Sequence, residues 1–196
     1  MNIGIFGGCF NPPHQMHFNI CKELIDGKVV DKVIIVPTGD AYQKNELESA
    51  KHRYNMLKIL LAGEDKIEVS TYEFKQEQIY TYQTLKYFSE NYKNDEIFFI
   101  CGADNLKQIK TWKNYKHILS NYKIIVIKRN DDYIADVLDE LKDIKTNIIV
   151  SNIKKVSISS SNIRELLKSN EKSLLKSNLL DKNVLNYIEQ NKIYMQ

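Results

Sequence analysis

Apolar runs of strand length recur along this chain, at NIGIF (2–6), KVIIVP (32–37), EIFFIC (96–101), YKIIVIK (122–128) and NIIV (147–150). The stretches between them are longer and carry helical periodicity. The runs are nearly continuous in Val, Ile and Phe, the pattern of strands covered on both faces. Residues 15–26 read as a helix. So do residues 50–62, where Tyr54, Leu57, Leu60 and Leu61 fall at three-and-four spacing, and the segment holding Ile134, Val137, Leu138 and Leu141. These apolar faces read as core packing. A short further strand is expected within 66–75 and a helix within 76–92. From Ser159 onward the pattern is helical only, through Ile163, Leu166 and Leu167, then Leu174 and Leu175, then Val184 and Ile188. Alternating strands and helices predict an α/β fold, a doubly wound parallel sheet with a C-terminal helical cap packed on it. No repeat, low-complexity tract or Pro/Gly-rich linker interrupts the sequence, so residues 1–196 are expected to form one domain with 159–196 as its helical part. Sheets of this kind bind ligands beyond the carboxyl ends of their strands.

Composition narrows the partners. A hydrophobic share of 43% and a charged share of 27% are ordinary for a globular chain, and no apolar run is long enough to cross a bilayer. Twenty-eight basic against 25 acidic residues leave a net charge of only +3, and the lysines are dispersed. That argues against a nucleic-acid surface and for any anionic partner being small. The start, MNIGIFGG, has no basic segment before its apolar run and reads as a first strand, not a signal peptide, so a cytoplasmic protein is expected. Cys9, Cys21 and Cys101 are scattered without CxxC spacing, which fits reduced thiols and gives neither a disulfide framework nor a zinc cluster. No uncommitted apolar stripe specifies an oligomer.

The chemistry concentrates in GIFGGCFNPPHQMH (4–17). Gly7 and Gly8, after the first strand, allow a tight turn and a close approach of backbone to phosphate. Their spacing is neither GxGxxG nor GxxxxGK(S/T), and a strand-to-helix turn alone would account for such a pair. His14 and His17 change the weighting. His14 falls at the start of the helix expected over 15–26, and His17 follows three residues later on the same face. Two imidazoles at a positive helix end can donate to phosphate oxygens and stabilise charge developing there. An HxxH metal pair is the other reading, and no third ligand of obvious spacing accompanies it.

GGCFNPPHQMH (7–17) resembles the (H/T)xGH signature of the nucleotidylyltransferases, which in the nicotinate-nucleotide adenylyltransferase family reads GG(T/S)F(D/N)PxHxGH. Further segments are similar to that family's motifs in the family's order. VPTGDAYQK (36–44) is similar to VPxxxPPHK and TYQTL (81–85) to YTxDTL; GADNLKQIKTW (102–112) is similar to GxDxxxxxxxW and ISSSNIR (158–164) to ISSTxIR. The resemblance spans nearly the full chain. It implies a Rossmann-like nucleotidylyltransferase fold and adenylyl transfer from ATP to nicotinate mononucleotide. The products would be deamido-NAD and pyrophosphate, with no covalent enzyme intermediate and with Mg²⁺ carried on ATP.

By the same resemblance His14 and His17 contact the triphosphate, His17 nearest the α-phosphate, and Arg164 takes the departing β- and γ-phosphates. Gly7, Gly8, Cys9, Phe10, Gly102, Asp104, Ile158, Ser160 and Ser161 are the implied nucleotide-binding residues. Lys44, Arg53, Thr84 and Trp112 are the implied acceptor-binding residues, Trp112 by stacking on the pyridine ring. Several of these also make sense individually. Ser160 and Ser161 are expected to precede a helix whose free N–H groups form an anion site with Arg164, or simply to cap it. Gly102 permits close approach, and Asp104 can accept ribose hydroxyls or cap a helix. Trp112 could equally be core, and Lys44 and Arg53 solvated surface charges.

The chain departs from the family pattern in places. Cys9 stands where Thr or Ser is usual, Met16 where HxGH has Gly, Gln83 where Asp is common, and TGDAYQK lacks the PPHK segment. Two other readings therefore accompany the first. One is the same transfer with another phosphate-bearing acceptor or with CTP as donor; the other is a nucleotide-binding regulator without catalysis, against which His14, His17 and Arg164 speak.

Overall fold

The apolar runs form six parallel strands, β1 (Asn2–Gly8), β2 (Lys32–Pro37), β3 (Ile67–Val69), β4 (Glu96–Gly102), β5 (Lys123–Lys128) and β6 (Asn147–Asn152), in the order β3-β2-β1-β4-β5-β6. The computed structural model describes residues 1–42, 46–75, 77, 79–128, 134–142, 144, 147–152, 159–169 and 179–195. Around the sheet lie α1 (Gln15–Asp26), α2 (Ala50–Leu60), α3 (Thr81–Asn91), α4 (Ala103–Gln108), α5 (Tyr115–Asn121) and α6 (Ala135–Glu140). Two C-terminal helices follow, α7 (Ser160–Lys168) and α8 (Lys182–Asn191). The chain winds outward from β1 to β3, then crosses back to place β4 on the other side of β1. That reversal opens a crevice at the carboxyl ends of β1 and β4, where α/β sheets of this Rossmann-like order take their ligands.

Successive residues of each strand face opposite sides of the sheet, and both sides are covered. Ile3 and Ile5, Ile34 and Val36, Phe99 and Cys101, and Ile124 and Val126 pack with α3, α4 and α5 through Leu85, Phe88, Leu106, Ile118 and Leu119. Phe6, Val33, Ile35, Phe98, Ile100 and Ile125 pack on the other face with α1 and α2 through Met16, Ile20, Leu24 and Leu57. Each such Ile, Leu or Phe withdrawn from water contributes about 1.5–3 kcal/mol, which is why the strand sequences alternate so little in polarity. A third apolar cluster joins the C-terminal helices to α2, with Ile163, Leu167, Val184, Leu185 and Ile188 closing over Met56. The helical cap therefore rests on α2, beside the sheet.

Some boundaries differ from expectation. The extra strand within 66–75 is only Ile67–Val69, and a 3₁₀ turn, Tyr72–Lys75, follows. The helix expected within 76–92 begins at Thr81, because Tyr80 is its extended N-cap and the Tyr80 N–H donates to Gln83 Oε1 at 3.0 Å. Lys44, Ile158, Leu174 and Leu175 lie outside the described residues. No helix among the described residues is long and apolar enough to cross a membrane.

Candidate active site

β1 ends at Gly7 and Gly8, beside the last two residues of β2, Val36 and Pro37, and residues 9–14 turn the chain into α1. Phe10 takes a left-handed backbone (φ 48°), an uncommon conformation for a bulky residue that costs about 1–3 kcal/mol and marks functional turns. His14 is the extended N-cap of α1. Its N–H donates to His17 Nδ1 at 3.1 Å, and the His17 N–H donates to the His14 carbonyl at 2.9 Å. The two imidazoles stack at 3.8 Å between centroids, and Phe10 stands edge-on to His17 at 4.9 Å. Both histidines are buried. Because His17 Nδ1 accepts a backbone N–H, the ring proton of neutral His17 resides on Nε2, which makes that atom a hydrogen-bond donor and not a nucleophile. The helix dipole of α1 adds positive potential at the same end.

The start of α7 is stitched to this loop. Ser160 Oγ donates to the Pro12 carbonyl at 2.9 Å, and Arg164 Nη1 donates to the Asn11 carbonyl at 2.9 Å. Ser160 and Ser161 do not precede α7 as expected; they form its first turn, and Ser159 is the N-cap, its hydroxyl accepting from the Asn162 N–H at 3.1 Å. Ser161 is exposed. Arg164 Nε faces Glu46 Oε2 at 3.6 Å, and Lys168 Nζ reaches Glu46 Oε1 at 2.8 Å. Lys168, with Arg164, holds the Glu46 carboxyl below the usual carboxylate range. Asn11 is the hub between segments. Its Nδ2 donates to the Glu46 carbonyl at 2.7 Å, while its Oδ1 accepts from the Glu48 N–H at 3.0 Å and from the Tyr194 hydroxyl at 2.6 Å.

Arg53 departs most from expectation. It is a fully buried clamp on protein groups, where an acceptor contact or a solvated surface charge was expected. Nε donates to the Glu48 carbonyl at 2.7 Å, Nη1 to the Cys9 carbonyl at 2.9 Å and to Thr38 Oγ1 at 3.3 Å, and Nη2 to the Thr38 carbonyl at 2.6 Å. Asp40 lies 3.5 Å from Nη2. The five N–H groups of the guanidinium are thereby turned toward protein acceptors. Burial lowers its affinity for the proton, against the pull of Asp40. Through Cys9 and Thr38 the clamp ties the turn after β1 to the loop after β2. Gly39 in that loop has to be glycine, since a Cβ would run into the Glu73 carbonyl.

The remaining expected residues lie on neighbouring elements. Thr84, buried on α3, donates to Glu73 Oε1 at 2.6 Å, and burial pushes the Glu73 carboxyl up. Gly102 closes β4, and Asp104 lies in the first turn of α4, its carboxylate folded where a Cβ on Gly102 would be. Trp112 is half-buried against Phe99, with ring centroids 6.0 Å apart. Met16 turns into the core beneath the site beside Ile20 and Leu24, and so leaves the face that His14 and His17 present. The half-buried Cys9 serves the loop through its carbonyl. Among the described residues, no group of three or more His, Cys, Asp or Glu side chains is gathered as a protein-held metal would require.

The sequence profile of the cytidylyltransferase-like family matches residues 5–166. A probable nicotinate-nucleotide adenylyltransferase of Fusobacterium nucleatum is 39% identical over 196 residues, 98% of this chain and 100% of that protein. The chain belongs to the nicotinate-nucleotide adenylyltransferase family. A second member, from Clostridium novyi, is 38% identical over 86% of this chain and 88% of its own length. The structure of Plasmodium falciparum nicotinic acid mononucleotide adenylyltransferase complexed with APC matches at a TM-score of 0.83 and 26% identity, covering 98% of this chain and 96% of that one. Membership makes this chain a nucleotidyltransferase.

Within the family's frame, sequence reasoning passed over Asn11, Thr38, Glu46, Glu73, Lys168 and Tyr194. Asn11 stood in the quoted motif as its Asp-or-Asn position, so a signal was present. Tyr194, in NKIYMQ near the chain end, had none, because its contact with Asn11 spans 183 residues of sequence.

Proposed function

We propose that this chain transfers the adenylyl group of ATP to nicotinate mononucleotide, releasing pyrophosphate and forming deamido-NAD. It does so as one cytoplasmic domain, residues 1–196 with 159–196 as its C-terminal helical part. Mg²⁺ enters as the ATP complex, bound mainly through the phosphates of the nucleotide. A phosphate oxygen of the acceptor attacks the α-phosphorus; the new P–O bond forms as the bond from the α-phosphorus to the bridging oxygen breaks, and that oxygen leaves on pyrophosphate with its electron pair. Such a displacement asks little covalent chemistry of the protein and much positioning and charge neutralisation. His17 Nε2–H donates to a nonbridging α-phosphate oxygen, His14 assists at the same helix end, and Arg164 meets charge accumulating on the leaving phosphates. Gly7 and Gly8 let the triphosphate lie against backbone, and Gly102 with Asp104 receives the nucleoside at the end of β4. Thr84 and Trp112 are assigned to the acceptor.

The observation that carries this reading is the hydrogen bond from the His14 N–H to His17 Nδ1. It puts the ring proton of neutral His17 on Nε2, the atom this reading assigns to the α-phosphate. The test is pyrophosphate release with ATP or CTP against a panel of phosphate-bearing acceptors, nicotinate mononucleotide among them. Turnover with ATP and nicotinate mononucleotide is the expected result. Turnover only with another acceptor, or only with CTP, overturns the substrate assignment, and tight ATP binding without turnover on any acceptor overturns the enzymatic one.

A further inference from the structure

Arg164 and Lys168 lie four residues apart on α7 and therefore on one face, a turn from each other, and they share one carboxylate. Glu46 Oε1 is 2.8 Å from Lys168 Nζ, and Glu46 Oε2 is 3.6 Å from Arg164 Nε. The second distance is too long for a hydrogen bond. Arg164 Nε is a buried donor with no hydrogen-bond partner among the described residues, held near an anion without being bonded to it. The Glu46 side chain is 56% exposed, while its backbone is pinned. Its carbonyl accepts from Asn11 Nδ2 at 2.7 Å, and the Glu48 N–H two residues on donates to Asn11 Oδ1 at 3.0 Å. The carboxylate can thus rotate away with no movement of the loop that bears it.

We infer that Lys168 is a second binding residue for the pyrophosphate end of the triphosphate, alongside Arg164, and that the Glu46 carboxylate occupies their anion position until the nucleotide arrives. This inference rests on the assignment of Arg164 to the departing phosphates made above. Two cations around one carboxylate leave a positive site, and phosphate oxygens can satisfy both the Lys168 ammonium and the unbonded Arg164 Nε, which a single carboxylate does not. A carboxylate that stayed in place would then face like charge, so Glu46 is displaced when the triphosphate binds. Glu46 consequently competes with nucleotide, and Lys168 distinguishes a triphosphate from a monophosphate.

Calorimetric titration of the full-length protein with ATP, inorganic tripolyphosphate and AMP tests this without any acceptor. Lys168→Met is expected to weaken ATP and tripolyphosphate by about fivefold and to leave AMP unchanged, and Lys168→Arg to restore most of the loss. Glu46→Gln is expected to tighten ATP severalfold, a gain that disappears in the Glu46→Gln, Lys168→Met double variant. Equal weakening of ATP and AMP by Lys168→Met would assign Lys168 to the support of α7, and no weakening of either would leave it without a role; both overturn the inference. So does a Glu46→Gln protein that binds ATP more weakly than wild type. Formation of deamido-NAD is scored separately. If wild type forms it and Lys168→Met binds ATP normally, only the Lys168 assignment falls. If wild type does not form it while the ATP and AMP pattern holds, the acceptor reading falls and Lys168 stands.

Discussion

Replacing Arg53 by methionine separates a structural clamp from a ligand contact. The wild-type guanidinium, 0% exposed, satisfies the carbonyls of Glu48, Cys9 and Thr38 and the Thr38 hydroxyl, and it faces Asp40. Methionine keeps the length of the side chain and fills much of the space, but it donates nothing. Each buried carbonyl left without a donor costs about 1–3 kcal/mol, so the three together set an upper bound of about 9 kcal/mol. Water entering from the loop side brings the net into the range of about 3–5 kcal/mol measured when one partner of a buried charged network is removed. A domain of this size has about 5–15 kcal/mol in all and loses about 2–4 °C of Tm per kcal/mol. The variant should melt roughly 6–20 °C below wild type and shift to lower urea. At a temperature where it remains folded, it should bind ATP with an affinity close to wild type. Calorimetric Tm, urea unfolding and ATP titration provide the comparison. A Tm within about 2 °C of wild type together with weakened binding of ATP or nicotinate mononucleotide would refute the clamp and restore Arg53 to the ligand.

His17→Ala should lower kcat by about 10²-fold or more while changing ATP affinity far less, as expected when a donor to developing charge is lost; stopped-flow turnover beside equilibrium titration reads both. Glu73→Gln should gain stability over wild type as pH rises. Burial raises the folded carboxyl above its unfolded value, so wild-type stability is fully present below the unfolded pKa and declines as pH climbs through the folded one, a loss that glutamine cannot suffer. Urea unfolding from pH 4 to pH 7.5 gives the sign, and a gap that shrinks with pH would contradict it. Tyr194→Phe removes one hydrogen bond to Asn11 and should cost about 1 kcal/mol, or roughly 2–4 °C of Tm. Burial pushes the Tyr194 phenol well above the ordinary tyrosine range, so this cost should be the same at pH 6 and pH 9. A cost that vanished at pH 9 would mean the hydroxyl had ionised.

The sheet was legible because its strands are buried on both faces and therefore announce themselves as continuous apolar runs, whereas β3, only three residues long at the edge, was legible merely as a possibility within a wider window. His14 and His17 were legible because their relation is local, one helical turn within a single segment. Arg53 misled because a lone arginine in a helix looks the same whether its head is in water or in the core. What fixes it inside is the convergence of carbonyls from residues 9, 38 and 48, and carbonyls are invisible in sequence. The serines before Arg164 misled by one position for a related reason. A run of three serines offers three equivalent caps, and the choice of Ser159 follows from Ser160 being drawn to the Pro12 carbonyl of a loop far away in the chain. Met16, a departure from the family pattern, packs into the apolar layer shared with Ile20 and Leu24, a direction that helical geometry sets.

Direct transfer of the adenylyl group from ATP to the acceptor is best tested by the configuration at phosphorus. ATP bearing sulfur in place of one nonbridging α-oxygen, supplied as a single diastereomer with nicotinate mononucleotide, should yield the thio-substituted dinucleotide with inverted configuration and one pyrophosphate per turnover. Retention would require two displacements through a covalent enzyme intermediate, and it would contradict direct attack of the acceptor on the α-phosphorus. Absence of the dinucleotide with both this analogue and ATP itself would contradict the assigned reaction.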